Sequence, residues 1–327
     1  MFDIITFGSA TKDIFLSTEE GGIFDNEEFV GGRGICFPLG SKVRADEIYF
    51  TSGGGGTNTA VSLSKQGFEV AYCGKVGEDS AGDQVMKDLK RYGIKRDLVS
   101  RTEEELTNHS VVVDIPEKDR TIFVYRGASD LHSEEDVNFE KLRAEWFYLA
   151  PFSDFSMDFF YSILEHAQEE DINLMVNPSK SQLKEKRIWE ALGKVDVLLL
   201  NMEEAAILTG RAYDDASDIL KELKGVPQRV LLVTQGTKGV YASDGEKFYY
   251  AKPVDTGAVD RTGAGDSFGS GFLSRFIRTG DIKEGVALGI ANSTACLKEK
   301  GAKNGLLKEG DEHEEIPVEE GDLEEVL

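Results

Sequence analysis

The stretch Asp260-Arg261-Thr262-Gly263-Ala264-Gly265-Asp266-Ser267-Phe268 places two carboxylates on either side of a small-residue loop. Phe268, Phe272, Leu273, Phe276 and Ile277 follow at helical spacing, so the loop opens into a helix. The first N–H groups of a helix lack intrahelical partners and can bind an anion. Gly263, Ala264 and Gly265 have little or no side chain, which lets a phosphate approach the backbone. Asp266 stands at that site and can accept a hydrogen bond or a proton from a hydroxyl nucleophile, a combination that suits phosphoryl transfer. A helix N-terminus stabilises the anionic carboxylate, so the position predicts a lowered basicity for Asp266. Its role would be to orient the hydroxyl and take the proton late. A bare Gly-x-Gly-Asp is served equally well by a capped turn, so the rest of the chain must carry the argument.

Three other stretches could work with it. Ser52-Gly53-Gly54-Gly55-Gly56-Thr57-Asn58 runs into a helix. Four glycines there cost chain entropy unless something approaches the backbone closely, and Asn58 can donate to and accept from hydroxyls. Asn201 and Glu204 sit three apart just past the apolar run Val195–Leu200, where a carboxylate could orient Mg²⁺ through its water shell. Thr234-Gln235-Gly236-Thr237-Lys238-Gly239 follows Val230–Val233 and could wrap a nucleotide with backbone groups. Asp13 lies past a first short strand, Asp3–Phe7, on the side where open α/β sheets bind ligands.

The elements that position these residues alternate. Strands at 146–150, 172–176, 195–200 and 229–234 are separated by helices at 156–170, 181–192, 202–209 and 215–224. That pattern implies a parallel sheet covered by helices on both faces. Residues 14–52 and a hairpin at 110–125 around Pro116-Glu117-Lys118-Asp119 read as β excursions from that sheet. A late helix spans about 282–298. From Glu309 the chain is mostly acidic and reads as a partly disordered, solvated tail, 309–327.

The formal net charge of −23 argues against nucleic acid or an anionic membrane as the main partner. Cys36, Cys73 and Cys296 have no close spacing, which suits reduced thiols in a cytoplasmic protein. The four scattered histidines form no ligand spacing. The N-terminus lacks a basic n-region, and no apolar run reaches the roughly 18 residues of a membrane span. No Walker A motif is present, and a dinucleotide fingerprint would need glycine where Phe268 stands.

Taken in order, these motifs make the chain resemble the PfkB carbohydrate kinases of the ribokinase-like superfamily, over about residues 3–303. The resemblance rests on Asp260 with Thr262-Gly263-Ala264-Gly265-Asp266, on Gly53-Gly54-Gly55-Gly56-Thr57-Asn58, and on Gly74-Lys75-Val76-Gly77-Glu78-Asp79 with Gly82. Asn201 with Glu204 and Thr234 with Gly236 and Gly239 complete it. It implies a ribokinase-like three-layer α/β/α domain, 1–308, with a mostly parallel central sheet and a small β-sheet lid from about 14–52 and 107–127. It implies ATP-dependent transfer of the γ-phosphoryl group to a substrate hydroxyl. Asp266 then matches the catalytic base, and the 263–266 amides match an anion hole for the transferred group. Asp13, Gly53, Gly54 and Asn58 match positions that hold sugar hydroxyls. Asn201, Thr234, Gly236 and Gly239 match the ATP site, with Asn292 near the adenine. Glu204 matches the acid that organises Mg²⁺ through water, and Asp260 the acid that often helps hold a monovalent cation such as K⁺. Lid sheets of this family often pair into homodimers.

The acceptor is less legible. Tyr125-Arg126-Gly127-Ala128-Ser129 is reminiscent of a ketodeoxygluconate kinase segment, which makes Arg126 a substrate-binding candidate. Asn177-Pro178-Ser179-Lys180 lacks the arginine those enzymes carry. A sugar phosphate would call on Lys42, Arg44 and Arg126, and a nucleoside on an aromatic wall from Phe15, Phe37, Tyr49 and Phe123. A neutral ribose- or fructose-like sugar is the favoured substrate, with a nucleoside next. A binding protein without catalysis is the reading from a different class, and the joint presence of Asp266, Asn201 and Glu204 argues against it.

Overall fold

A computed structural model describes residues 1–26, 32–116, 119–151, 157–254 and 257–326. In chain order, β1 (Phe2–Phe7) leads to β2 (Thr11–Ser17), β3 (Gly22–Asp25), β4 (Arg33–Cys36) and β5 (Glu47–Gly53). Helix α1 (Gly55–Lys65), β6 (Val70–Gly77), α2 (Ser80–Arg91), β7 (Val99–Thr102) and the hairpin β8 (Asn108–Ile115) and β9 (Asp119–Tyr125) follow. The βα part runs β10 (Ala144–Leu149), α3 (Met157–Glu169), β11 (Asn173–Val176), α4 (Ile188–Leu192), β12 (Val197–Asn201), α5 (Met202–Thr209), α6 (Ala216–Leu223) and β13 (Val230–Thr234). Then come β14 (Val240–Ser243), β15 (Phe248–Ala251), α7 (Ala264–Thr279), α8 (Ile282–Leu297), β16 (Glu319–Gly321) and α9 (Leu323–Val326).

Among the described residues the main sheet has the order β16-β15-β14-β13-β12-β11-β10-β1-β6-β7. It is parallel from β13 to β7 and antiparallel from β13 to β16. Its strands are near-continuous apolar runs because both faces are covered, and the two-residue period deals successive side chains to opposite sides. Phe147, Leu198 and Leu231 pack on one side with Phe160 of α3, Met202 of α5 and Leu220 of α6. Tyr148, Leu199 and Leu232 pack on the other with Leu63 of α1, Phe268 and Phe272 of α7 and Val286 of α8. This is the three-layer α/β/α architecture that the alternation predicts.

The β excursions meet in a second sheet of order β5-β2-β8-β9. Here β2 pairs antiparallel with β5 and parallel with β8. The tip of the 110–125 hairpin at 117–118, Gly31 of the Gly31-Gly32 break and the expected helix start at 156 lie outside the described residues.

Two details differ from the sequence reading. Asp13 is not in a loop after β1 but within β2, where the alternation of Asp13, Phe15 and Ser17 with Ile14 and Leu16 makes a strand. The C-terminal segment is not a solvated tail. Ile316 and Leu323 are buried among its acids, and β16 pairs with the open edge of β15. Lys247 and Lys283 both hold Glu320 there. Its acidic composition masked the few apolar residues that dock it.

That docking is testable. Leu323→Ala should cost about 2 kcal/mol, the low end for a buried leucine truncation. Urea unfolding should show a lowered midpoint, while the exposed Glu324→Ala control should leave it unchanged.

Candidate active site

Helix α7 begins at Gly263, whose φ of 78° is left-handed and which offers no side-chain cap. A Cβ on Gly263 would fall 2.3 Å from Ala302 Cβ, so only glycine fits this turn. Ser267 N closes the first helical bond onto Gly263 O at 2.9 Å. A Cβ on Gly265 would meet nothing within 4 Å, so the 263–266 turn fronts open space. This uncapped first turn suits an anion, because its donors point outward and the helix dipole adds partial positive charge.

Asp266 is in the first turn and is not the cap. Asn58 Nδ2 donates to its Oδ2 at 2.8 Å. Gly55 makes room for the other oxygen, since a Cβ there would lie 3.5 Å from Asp266 Oδ1. Burial raises the Asp266 pKa above the ordinary carboxylate value, against the opposing pulls of the Asn58 hydrogen bond and the Lys303 charge. The predicted lowering of its basicity is thereby reversed, because loss of water penalises the anion more than its neighbours support it.

The Asn58–Asp266 bond heads a polar seam between α1, α7 and α8. One turn further along each helix, Ser270 Oγ meets Ser62 Oγ at 2.7 Å. Asn292 Nδ2 donates to Ser62 Oγ at 3.0 Å and to Ser267 O at 2.7 Å, and its Oδ1 accepts from Leu307 N at 2.9 Å. Asn292 is fully buried, with both amide ends engaged by protein. The expected contact of this side chain with adenine is therefore corrected to a helix-packing role.

Asp13 is 5% exposed and accepts from Ser110 Oγ at 2.5 Å. Gly53 abuts it so closely that a Cβ would lie 2.0 Å from Asp13 Oδ2. Burial raises the Asp13 pKa as well. Gly54 continues the loop with φ 95° and caps α1.

At the far end of the parallel strands, Asn201 and Thr234 are register partners on β12 and β13. Asn201 and Glu204 form a capping box: Glu204 N donates to Asn201 Oδ1 at 2.9 Å, and Asn201 N donates to Glu204 Oε2 at 2.8 Å. Half-buried, Glu204 has a raised pKa from desolvation. The 234–239 turn is closed by Gln235 N onto Gly239 O at 2.8 Å, with Gly236 and Gly239 at positive φ. A Cβ on Gly236 would meet nothing within 4 Å. Among the described residues no cluster of three metal-ligating side chains exists. The donor set therefore suits a Mg²⁺ carried largely by phosphate oxygens and water, not one caged by protein.

Asp260 is 5% exposed and heavily engaged. It accepts from Arg120 Nη1 at 3.0 Å, Thr262 N at 2.9 Å, Thr262 Oγ1 at 2.7 Å and Gly301 N at 2.9 Å. Its pKa is lowered by these bonds despite burial. Arg120 lies on β9, so the small sheet grips the loop before α7. Arg126 follows β9 and is exposed. Phe15 and Tyr49 stack on each other at 4.4 Å on one face of the small sheet, while Phe123, in register with Val111 and Ile14, lies on the other. Sequence reasoning missed Ser62, Ser270, Arg120 and Lys303. The serines carried a faint signal, each one turn beyond Asn58 or Asp266 in an apolar helix.

A family model described as pfkB family carbohydrate kinase matches residues 28–309. An uncharacterised sugar kinase of Archaeoglobus fulgidus is 29% identical over 250 residues, covering 75% of this chain and 98% of that protein. A ribokinase of Bacillus subtilis is 29% identical over 283 residues, covering 82% and 88%. The fold is similar to that of Arabidopsis thaliana ribokinase complexed with ribose and ATP, with a TM-score of 0.76 at 22% identity, covering 94% and 96% of the two chains.

The two loop glycines should separate stability from binding. Gly263→Ala should destabilise the fold by about 1–3 kcal/mol through backbone strain, seen in thermal unfolding. Gly265→Ala should leave the melting temperature unchanged or slightly higher, since alanine favours a helix by about 0.5–1 kcal/mol. It should still weaken nucleotide binding in calorimetry by about tenfold, by crowding the amides.

Proposed function

The chain belongs to the pfkB family of carbohydrate kinases, and from that premise we propose that it transfers the γ-phosphoryl group of ATP to a hydroxyl of a neutral, ribose- or fructose-like sugar. The observation that carries this reading is the 2.8 Å bond from Asn58 to Asp266 beside an uncapped helix turn. It unites a hydroxyl-binding side chain, a carboxylate and an anion cradle. In this mechanism Asp13, Gly53, Gly54 and Asn58 hold the acceptor's hydroxyls. Asp266 orients the reacting hydroxyl and takes its proton late in a loose transition state. The amides of 263–266 neutralise charge developing on the transferred group, as an oxyanion hole does. Asn201, Thr234, Gly236 and Gly239 bind ATP. Glu204 would organise the waters of the Mg²⁺ that, when bound, offsets phosphate charge.

A neutral acceptor is favoured over a sugar acid or sugar phosphate because Asp13 and Asp266 are both carboxylates, which repel an anion. Arg126 is the residue that could favour an acid sugar from the lid. A nucleoside is the second reading; Phe15 and Tyr49 share the Asp13 face of the small sheet, and Phe123 does not. Asp260 is the proposed contributor to a K⁺ site, and its engagement by Arg120 makes K⁺ dependence the discriminating measurement. The kinase unit extends past residue 308 to include β16 and α9. Among the described residues no helix is long and apolar enough to cross a membrane. We place the enzyme in the cytoplasm, acting on small molecules, with pairing through the exposed lid face (Ile48, Phe50, Phe123) as its route to a homodimer.

Asp266→Asn should lower kcat by about a thousandfold, within the range that general-base assistance supplies, while ATP affinity largely survives. Near-normal turnover in that variant removes Asp266 from the mechanism. The base must be ionised, so kcat should fall as pH drops, and the raised Asp266 pKa puts that acid limb above the ordinary carboxylate range. ADP release over a panel of sugars, sugar acids, sugar phosphates and nucleosides, with and without K⁺, assigns the acceptor. Binding without turnover across the whole panel would overturn the catalytic reading.

A further inference from the structure

We infer that Lys303 is a positioning residue of the active site: its buried ammonium clamps both ends of the glycine loop that abuts Asp13 at Gly53 and Asp266 at Gly55, and supports both carboxylates as anions. Lys303 is 4% exposed. Its Nζ donates to Ser52 Oγ at 2.9 Å and to Thr57 Oγ1 at 2.8 Å. Ser52 lies at the end of β5 and Thr57 in the first turn of α1, so one side chain grips both ends of the loop 53–56. Thr57 Oγ1 in turn donates to Gly53 O at 2.7 Å, which ties the clamp to the residue abutting Asp13.

Both bonds go to neutral hydroxyls. A buried ammonium held only by hydroxyls is costly unless negative charge lies nearby. The charges that act on Lys303 are Asp13 on β2, Asp88 on α2 and Asp266 on α7. Asp266 faces Asn58 of α1 and Lys303, and Lys303 supplies its cationic support. Ser110 on β8 donates to Asp13, and the charges that act on it are Lys303, Asp260 on the loop before α7 and Lys12 on its own strand. Burial disfavours the anionic form of each carboxylate, and one nearby cation favours that form in both. Burial brings the Lys303 pKa down to about 8, so its ammonium is largely retained at neutral pH. Lys303 lies in Lys300-Gly301-Ala302-Lys303-Asn304, where neighbouring lysines make it look like a surface charge.

This inference rests on Asp266 as the proposed base, so its test reads the carboxylate directly. Full-length protein carrying carbon-13 aspartate is titrated by carboxyl NMR, with the two signals assigned by Asp266→Asn and Asp13→Asn. Removing a nearby positive charge raises an acid's pKa. Lys303→Met should therefore move both midpoints up by about one pH unit or more. The acid limb of kcat should move up with Asp266, while KM for ATP changes little. Midpoints that stay in place in folded Lys303→Met overturn the inference. Should that variant not fold, Lys303→Gln carries the same comparison, because it keeps a donor toward Ser52 and Thr57 without the charge. Lys303→Arg, which restores the charge, should bring the midpoints back toward wild type, and failure to do so also counts against the inference. Shifted midpoints in a protein that phosphorylates nothing would sink the kinase mechanism and leave the role of Lys303 standing.

Discussion

A single hydrogen bond, Asn58 to Asp266, joins two segments 208 positions apart and sets what the surrounding elements must do. For Asn58 to reach it, α1 must start immediately after the glycine loop and lie against α7. For Asp266 to receive it, α7 must begin at a left-handed glycine and have no side-chain cap. The seam behind it, Ser62 with Ser270 and Asn292, repeats the contact one helical turn deeper. Small polar side chains let the helices approach closely, and the hydroxyls of Ser62 and Ser270 and both ends of the Asn292 amide are hydrogen-bonded. The site is thus rigid where helix packs on helix, and its reactive atoms stand at the open end of that packing.

The remaining parts are carried by strand ends. The register of β12 against β13 aligns Asn201 with Thr234, so the strand pairing that builds the sheet also sets the spacing of the two residues proposed to bind nucleotide. The capping box of α5 engages one oxygen of Glu204 and fixes its carboxyl group in place. What separates the proposed acceptor side from the proposed nucleotide side is the layer structure: one grows from the small sheet and α1, the other from the ends of β12 and β13 in the main sheet.

The sequence reading recovered those parts whose chemistry is local. The glycine loops, the apolar strands and the helical spacing after Asp266 are short-range patterns, and each gave its element. Effects arising from distant partners were hidden. The basicity of Asp266 was misjudged because a helix end is visible in sequence while burial is not. Asn292 read as a ligand because a late-helix asparagine resembles one until Ser62 and Leu307 come within reach. The C-terminal strand was obscured by the acids around Ile316 and Leu323, whose burial depends on an edge supplied by residues 248–251. Lys303 was indistinguishable from a solvated lysine.

The bond between Arg120 and Asp260 ties the small sheet to the loop that leads into α7. Asp260 in turn holds Thr262, the residue directly before Gly263. One buried carboxylate is thereby shared by the small sheet and the turn that opens α7. The two bonded residues stand 140 positions apart, so neither the sheet nor the turn can be displaced without costing the other a charge-assisted hydrogen bond.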